Sequence, residues 1–116
     1  WNKKKIKAKD ATKIEKGKRF AYVLDSAYAE NLVKLAKDSD VLLCESTFAD
    51  ELKDSAKKFG HMTARDAATL AKKAGAKKLI ITHFSQRYKD VSVLLREAKS
   101  VFKGTIAAKD LMEIEL

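Results

Sequence analysis

An acid or an imidazole follows each of three apolar runs in this chain. Asp25 closes AYVLD, Glu45 closes VLLCE and His83 closes LIITH, and a serine comes within two residues of each. If the runs are parallel strands, their carboxyl ends lie along one edge of a sheet, which is where open α/β sheets bind ligands. Polar residues also begin ordinary loops, so one such position alone would mean little. The three together predict a shared site.

A histidine beside a carboxylate is the start of a metal site. His83 and Asp25 are ligand types that zinc and manganese accept. Zinc usually has three or four protein ligands, and the sequence contains neither HxH nor HExxH. The two residues are therefore predicted to supply only part of a site, and the chain by itself is expected to bind zinc weakly.

The other histidine lies in a setting suited to phosphate. His61 stands in FGHMTARD, before a predicted helix that Thr63 opens, and helix N-termini attract anions through their free N–H groups. Ser85 and Arg87 form a second candidate phosphate site, since a guanidinium can bind two oxygens at once. An imidazole among phosphate-binding groups can act as a general acid, with Glu45 accepting its other N–H. The alternatives are a helix-capping carboxylate for Glu45 and a surface ion pair for Arg87.

The apolar runs alternate with stretches of helical periodicity. The predicted strands are 5–8, 19–25, 40–45, 77–83, 105–108 and 111–116, and the predicted helices are 29–38, 48–59, 64–75 and 89–102. Thr63 and Asp66 have the spacing of a capping box at the start of the third helix, and Gly75 marks its end. This alternation favours right-handed βαβ units and a largely parallel sheet.

Composition limits the class of protein. At 116 residues, 46% hydrophobic and 35% charged, the chain is expected to be a soluble globular domain. No apolar run approaches the roughly 18 residues of a membrane span, and a lone Cys44 fits a reducing cytoplasm. The P-loop, GxGxxG and GxSxG motifs are absent, which counts against nucleotide triphosphate, dinucleotide and serine-hydrolase chemistry. A net charge of +9 indicates either a solvated lysine-rich surface or a footprint for a polyanion such as RNA.

Several segments, in their order along the chain, resemble one known family. AYVLDS, VLLCESTFAD, FGHMTARDAA, LIITHFSQRY and AAKDLMEIEL are similar to the C-terminal part of ribonuclease Z, the tRNA 3′-processing endonuclease of the metallo-β-lactamase superfamily. The resemblance spans Gly17 to Leu116, and THFSQRY after GHMT is specific to this family. It implies an α/β fold that forms the C-terminal half of an αββα sandwich, with a mostly parallel sheet and helices on one face.

The resemblance also implies roles for individual residues. Asp25 would bridge two zinc ions, and His83 would be a terminal zinc ligand. His61 would protonate the leaving 3′ oxygen while Glu45 orients the imidazole. The scissile or neighbouring phosphate would be held by Thr63, Ser85 and Arg87.

The sequence departs from the family pattern in two places. It reads Cys44-Glu45-Ser46-Thr47 where the family usually has His-Glu-Ala-Thr, so the acid is kept and the histidine is lost. The His-x-His-x-Asp-His zinc motif is absent and belongs to an N-terminal half of the family. Residues 1–116 are therefore expected to be a single, partial domain.

The expected function follows from the resemblance. The chain would be the C-terminal part of a zinc-dependent endoribonuclease that removes the 3′ trailer from tRNA precursors, and it would be inactive without its N-terminal half. The complete enzyme is expected to be a cytoplasmic homodimer with no membrane association. The alternative is a non-enzymatic α/β module that binds RNA or another partner through its basic surface.

Overall fold

The computed structural model describes residues 5–7, 18–24, 26–108 and 113–115. Its strands are β1 (Lys5–Lys7), β2 (Phe20–Val23), β3 (Val41–Glu45), β4 (Lys78–Thr82), β5 (Thr105–Ala107) and β6 (Glu113–Glu115). Its helices are α1 (Asn31–Ala36), α2 (Lys53–Lys58), α3 (Ala64–Ala74) and α4 (Ser92–Val101). The predicted strands are confirmed, as are the predicted helices 29–38, 64–75 and 89–102, mostly with shorter bounds.

Four of the strands form one parallel sheet in the order β2-β3-β4-β5. The register pairs Val41 with Phe20 on one side and with Lys78 on the other. At least one helix joins each neighbouring pair of strands, and right-handed crossovers between neighbouring parallel strands place those helices on the same face. The carboxyl ends of all four strands consequently point to one edge of the sheet.

The helix α3 lies between α1 and α4 on that face. Thr63 Oγ1 accepts the backbone N–H of Asp66 at 3.0 Å, and Asp66 Oδ2 accepts that of Thr63 at 3.2 Å, so the predicted capping box is confirmed. The helix ends at Gly75, whose φ of 75° is accessible to glycine without steric penalty. The small side chains of its buried face let it approach the sheet closely, and that face consists of Ala64, Ala67, Ala68, Leu70, Ala71 and Ala74.

The two faces of the sheet bury different side chains, because strand residues alternate in direction. On the helix-covered face the core contains Leu42, Cys44, Leu79 and Ile81. A smaller cluster on the opposite face contains Val41, Leu43 and Ile80, with Phe20, Tyr22 and Ala108 packed against it. The strand β3 is buried at every position, as is typical of a central strand in a parallel sheet.

The predicted helix 48–59 is wrong in its first half. Phe48 lies in an isolated parallel bridge, and α2 begins only after a 3₁₀ turn at Asp50–Leu52. The backbone N–H of Ala49 donates to the hydroxyl of Tyr88 at 2.9 Å. Because a partner far along the chain takes this donor, the segment stays extended where local periodicity predicts a helix.

The strands nearest the two ends of the chain pair with each other. β1 and β6 form a two-stranded antiparallel ladder in which Ile6 lies opposite Ile114. Within the described ranges, no helix has both the length and the apolar character needed to cross a bilayer.

Candidate active site

Glu45, the last residue of β3, is a fully buried acid at the carboxyl edge of the sheet. Its Oε1 accepts the backbone N–H of Ser26 at 2.7 Å. Its Oε2 accepts the hydroxyl of Thr47 at 2.8 Å and faces Nδ1 of His61 at 2.9 Å. A buried carboxylate is costly unless its oxygens are paired, and these three contacts supply the pairing.

His61 is held so that one side of its ring is buried and the other is open. Its side chain is 29% exposed, while its partner Glu45 is 0% exposed. A carboxylate accepts and does not donate, so the hydrogen of the neutral ring lies on Nδ1, and Nε2 has no hydrogen-bond partner among the described residues. The turn that delivers the residue contains Gly60 at φ 74°. The geometry leaves Nε2 as the nitrogen that can meet a substrate.

Thr47 joins three loops at this edge. Its hydroxyl donates to Glu45, and its backbone N–H donates to the carbonyl of Met62, next to His61, at 3.0 Å. Its carbonyl accepts the backbone N–H of Ser85 at 2.9 Å, from the loop that follows β4. Because the loops after β3 and β4 and the turn before α3 share this residue, their relative positions are fixed without a ligand.

An aromatic ring separates the histidine from the arginine of the loop after β4. Phe48 packs edge-on against the ring of His61, with centroids 6.4 Å apart and an interplanar angle of 72°. The guanidinium carbon of Arg87 lies 5.9 Å from the centroid of the same ring. The Arg87 backbone N–H and the Ser85 hydroxyl are 3.4 Å apart, the length of a weak hydrogen bond. The structure thus gathers His61, Ser85 and Arg87 around one loop.

Thr63 has a structural task in addition to its predicted one. It is 1% exposed, and its hydroxyl caps α3 by accepting from Asp66. Its predicted phosphate contact stays a prediction.

The two predicted metal ligands differ in what can be said of them. His83 directly follows β4 and is exposed, with a left-handed φ of 62° that is uncommon outside glycine. Asp25 lies outside the described residues. Among the residues that the structure describes, no three His, Cys, Asp or Glu side chains are grouped closely enough to hold a metal ion.

Cys44 stands where the resemblance predicted a histidine. The thiol is fully buried and lies 3.8 Å from the sulfur of Met62. Burial raises the pKa of Cys44, and the negative charges of Glu45 and Asp66 raise it further. The thiol therefore packs against Met62 in the core of the fold and is not exposed at the carboxyl edge.

Sequence reasoning assigned no role to three residues that shape this site. Ser26 and Thr47 complete the hydrogen bonding of Glu45, and Phe48 spaces His61 from Arg87. One signal was available for Thr47, since residues two apart in an extended segment point to the same side. The Ser26 contact joins segments 19 residues apart and leaves no local trace.

Comparison with known proteins gives consistent matches. Residues 11–84 match a family described as "Beta-lactamase superfamily domain". The ribonuclease Z of Protochlamydia amoebophila is 42% identical over 103 residues, which are 89% of this chain and 34% of that protein. The short form of human tRNase Z is similar in structure with a TM-score of 0.68 and 35% identity, covering 87% of this chain and 34% of that one. The metallo-beta-lactamase fold protein YhfI from Bacillus subtilis gives a TM-score of 0.81 at 29% identity, covering 89% and 42%.

These matches confirm the resemblance to ribonuclease Z and the predicted α/β fold of metallo-β-lactamase type. The chain spans about a third of the length of the curated relatives it matches. The family match covers well over half of the 116 residues, including β2, β3, β4 and the Glu45–His61 pair. The chain therefore belongs to the beta-lactamase superfamily.

Proposed function

We propose that this chain is the C-terminal part of a ribonuclease that cleaves the 3′ trailer from tRNA precursors by phosphodiester hydrolysis. The observation that carries the proposal is the pair formed by the buried Glu45 and the half-exposed His61, 2.9 Å apart at the carboxyl edge of the sheet. Relatives named ribonuclease Z support the substrate class, at 41–48% identity.

In this proposal His61 acts as the general acid. Glu45 accepts from Nδ1, which fixes the ring orientation and stabilises the imidazolium form. The proton on Nε2 of that form is then directed at the substrate, and it is transferred to the 3′ oxygen as the bond to phosphorus breaks. A positioned acid of this kind contributes about 10²–10⁴-fold to a rate.

Phosphate binding is assigned to groups around the same loop. Arg87 is exposed and held over Phe48, so its guanidinium is available for two phosphate oxygens. The Ser85 hydroxyl lies 3.4 Å from the backbone nitrogen of Arg87, and the residue that caps α3 follows His61 by two positions. A phosphate bound between these groups would lie next to His61. The imidazole could then protonate the ester oxygen of that phosphate directly.

The described residues supply too few ligands for the proposed metal site. His83 would supply one imidazole at the carboxyl edge and Asp25 one carboxylate, whereas a dinuclear zinc site needs several more ligands. We propose that the remaining ligands lie in an N-terminal part of the enzyme; in support, the matched segment makes up only about a third of the length of each relative. The chain alone is accordingly expected to be inactive. The complete enzyme is proposed to be a cytoplasmic homodimer.

A second candidate function has one observation in its favour, the net charge of +9. A basic α/β module could bind RNA without cleaving it. Such binding would weaken steeply between low and physiological salt, because counterions are released when phosphates are neutralised. A buried acid aimed at a histidine has no use in that reading, so we favour the nuclease.

The test compares cleavage of a tRNA precursor with a 3′ trailer by two proteins, this chain alone and the same chain continued into its N-terminal region. We expect cleavage only by the longer protein. In it, His61→Ala should slow the chemical step by about 10²–10⁴-fold with metal content unchanged. His83→Ala should lose both metal and activity. Lys99→Ala, an exposed position near the end of α4, serves as a control that should change neither.

If His61→Ala lost metal while His83→Ala kept it, the roles of the two histidines would be reversed. If the longer protein bound the precursor in a salt-dependent manner but did not cleave it, the RNA-binding module would be the correct reading.

A further inference from the structure

An open pocket of about 370 Å³ adjoins the general acid. Its charged and aromatic lining consists of Tyr28, Lys53, Asp54, Lys57, His61 and Asp66. The volume lies in the range of about 300–1,000 Å³ that small-molecule sites occupy. Thr63, Ser85 and Arg87 do not line it, so it is distinct from the proposed phosphate site and shares with it only His61 and the first turn of α3.

The basic side of this pocket comes from one short helix. Lys53 and Lys57 are one turn apart on α2 and therefore lie on the same side of it. Neither takes part in an ion pair among the described residues, whereas Lys73 and Lys77 do. Two ammonium groups one turn apart suit a phosphate, since a lysine binds phosphate as a point charge.

The aromatic side is held in place by its own partners. Lys73 Nζ lies 5.6 Å from the centroid of the Tyr28 ring and pairs with Glu30 at 3.2 Å. The Tyr28 hydroxyl is 3.4 Å from the same carboxylate oxygen of Glu30. A ring fixed in this way offers a π-face to a nucleobase at low entropic cost, and stacking of that kind does not depend on the identity of the base.

The two carboxylates that line the pocket indicate which class of ligand fits it. Asp66 is engaged in the capping box of α3, and Asp54, which follows Lys53 on α2, is exposed. A pocket lined by both lysines and carboxylates disfavours a simple anion, because such an anion has no donor to offer the carboxylates. They suit a ligand that carries a phosphate and also hydroxyl or amino donors, which describes a ribonucleotide.

We propose that this pocket binds one ribonucleotide of the RNA, the one whose 3′ oxygen is released. The position of that nucleotide rests on the proposed function, because the residue bearing the leaving oxygen must present its ribose to His61. Its base then lies against Tyr28, and its own 5′-phosphate lies at Lys53 and Lys57. The pocket thereby holds the retained side of the cleaved strand, while Arg87 and Ser85 hold the phosphate that is attacked.

The test uses the 116-residue chain and adenosine 5′-monophosphate as the probe, with binding followed by the NMR amide shifts of residues 26–28 and 53–61. We expect saturable shifts confined to these segments. Lys57→Ala and Lys53→Ala should each raise the Kd about tenfold, the usual effect of losing one contact to a charged group. Lys58→Ala is the matched control, because this neighbouring lysine lies over Phe59 and does not line the pocket.

Tyr28→Ala separates a nucleotide site from an anion site. It should weaken adenosine 5′-monophosphate and leave the weaker binding of inorganic phosphate unchanged. Circular dichroism of each variant checks that the fold is retained. If inorganic phosphate bound as tightly as the nucleotide, or if Lys57→Ala and Lys58→Ala behaved alike, the proposal would be overturned.

An absence of saturable shifts would overturn it as well, whatever the longer protein does to a tRNA precursor. A different outcome would be that Lys57→Ala loses nucleotide binding while the longer protein cleaves no precursor. That result would support the nucleotide site and reject the proposed nuclease function.

Discussion

The two ends of β3 carry two carboxylates with opposite surroundings. Asp40 directly precedes the strand, accepts the backbone N–H of Arg19 at 2.8 Å and pairs with the Lys77 ammonium at 3.1 Å. Glu45 ends the strand, is fully buried, and has a histidine in place of a permanent cation. The Asp40 side chain remains 17% exposed, and its lysine partner is 75% exposed.

The difference separates a structural acid from a candidate catalytic one. Asp40 joins the backbone of Arg19 to the side chain of Lys77 at the amino edge of the sheet. Glu45 is paired with the imidazole of His61, which lines a pocket. Ligands of parallel sheets bind at the carboxyl edge. Among the described residues, the one contact between a buried acid and a histidine lies at that edge.

The largest expected effect is on stability at the carboxyl end. Glu45→Ala leaves the Ser26 N–H, the Thr47 hydroxyl and the His61 ring without their acceptor, and should lower the free energy of unfolding by about 2–4 kcal/mol. Asp40→Ala, the matched change at the other end, should cost less than about 1 kcal/mol, because solvent replaces its partners. Urea denaturation of both variants measures the contrast. Equal losses would mean that the two acids are equivalent.

The reactivity of Cys44 tests how closed the carboxyl end is. Burial raises the pKa of this thiol and so disfavours the reactive thiolate. Alkylation by iodoacetamide should therefore be much slower in the folded chain than in urea, because the fully buried thiol is also shielded from the reagent. Rapid alkylation of the folded chain would show that the strand end opens readily.

A smaller effect is expected from the hydroxyl beside Glu45. Ser46 is fully buried, and its Oγ has no hydrogen-bond partner within the part of the chain that the structure describes. Ser46→Ala should therefore leave the free energy of unfolding unchanged or raise it by up to about 1 kcal/mol. Thr47→Val is the matched control, because it removes a hydroxyl that does donate and should cost about 1–3 kcal/mol. A clear loss of stability in Ser46→Ala would reveal a partner for its hydroxyl.

The smallest effect concerns the amino end and appears only in acid. The backbone N–H of Arg19, and next the hydrogen bond from Lys77, hold the pKa of Asp40 below its usual 3.8. A depressed folded-state pKa gives stability that is fully present above the unfolded value and is lost as pH falls through the folded one. Wild type should therefore lose slightly more stability than Asp40→Asn between about pH 5 and pH 2. Parallel curves for the two proteins would show that this ion pair contributes nothing measurable.

Much of the fold was predictable because its signals are local. The runs FAYV, VLLCE and KLIIT are apolar and rich in residues that favour strands. The start and end of α3 are marked by short local signals, the Thr63–Asp66 capping box and Gly75. The failure at 48–59 has the opposite cause, since the partners of that segment come from residues about forty positions away.

The sequence by itself determined the strand and helix order, the family resemblance and the choice of Glu45 and His61 as partners. Only the tertiary structure decided that Nδ1 faces the carboxylate, that Ser26 and Thr47 complete its hydrogen bonds, and that a pocket opens beside the ring. The physical reason is the distance along the chain over which each interaction acts. Periodicity and capping act over a few residues, whereas a buried carboxylate is stabilised by donors from three separate loops, which meet only when the sheet brings their strand ends to one edge.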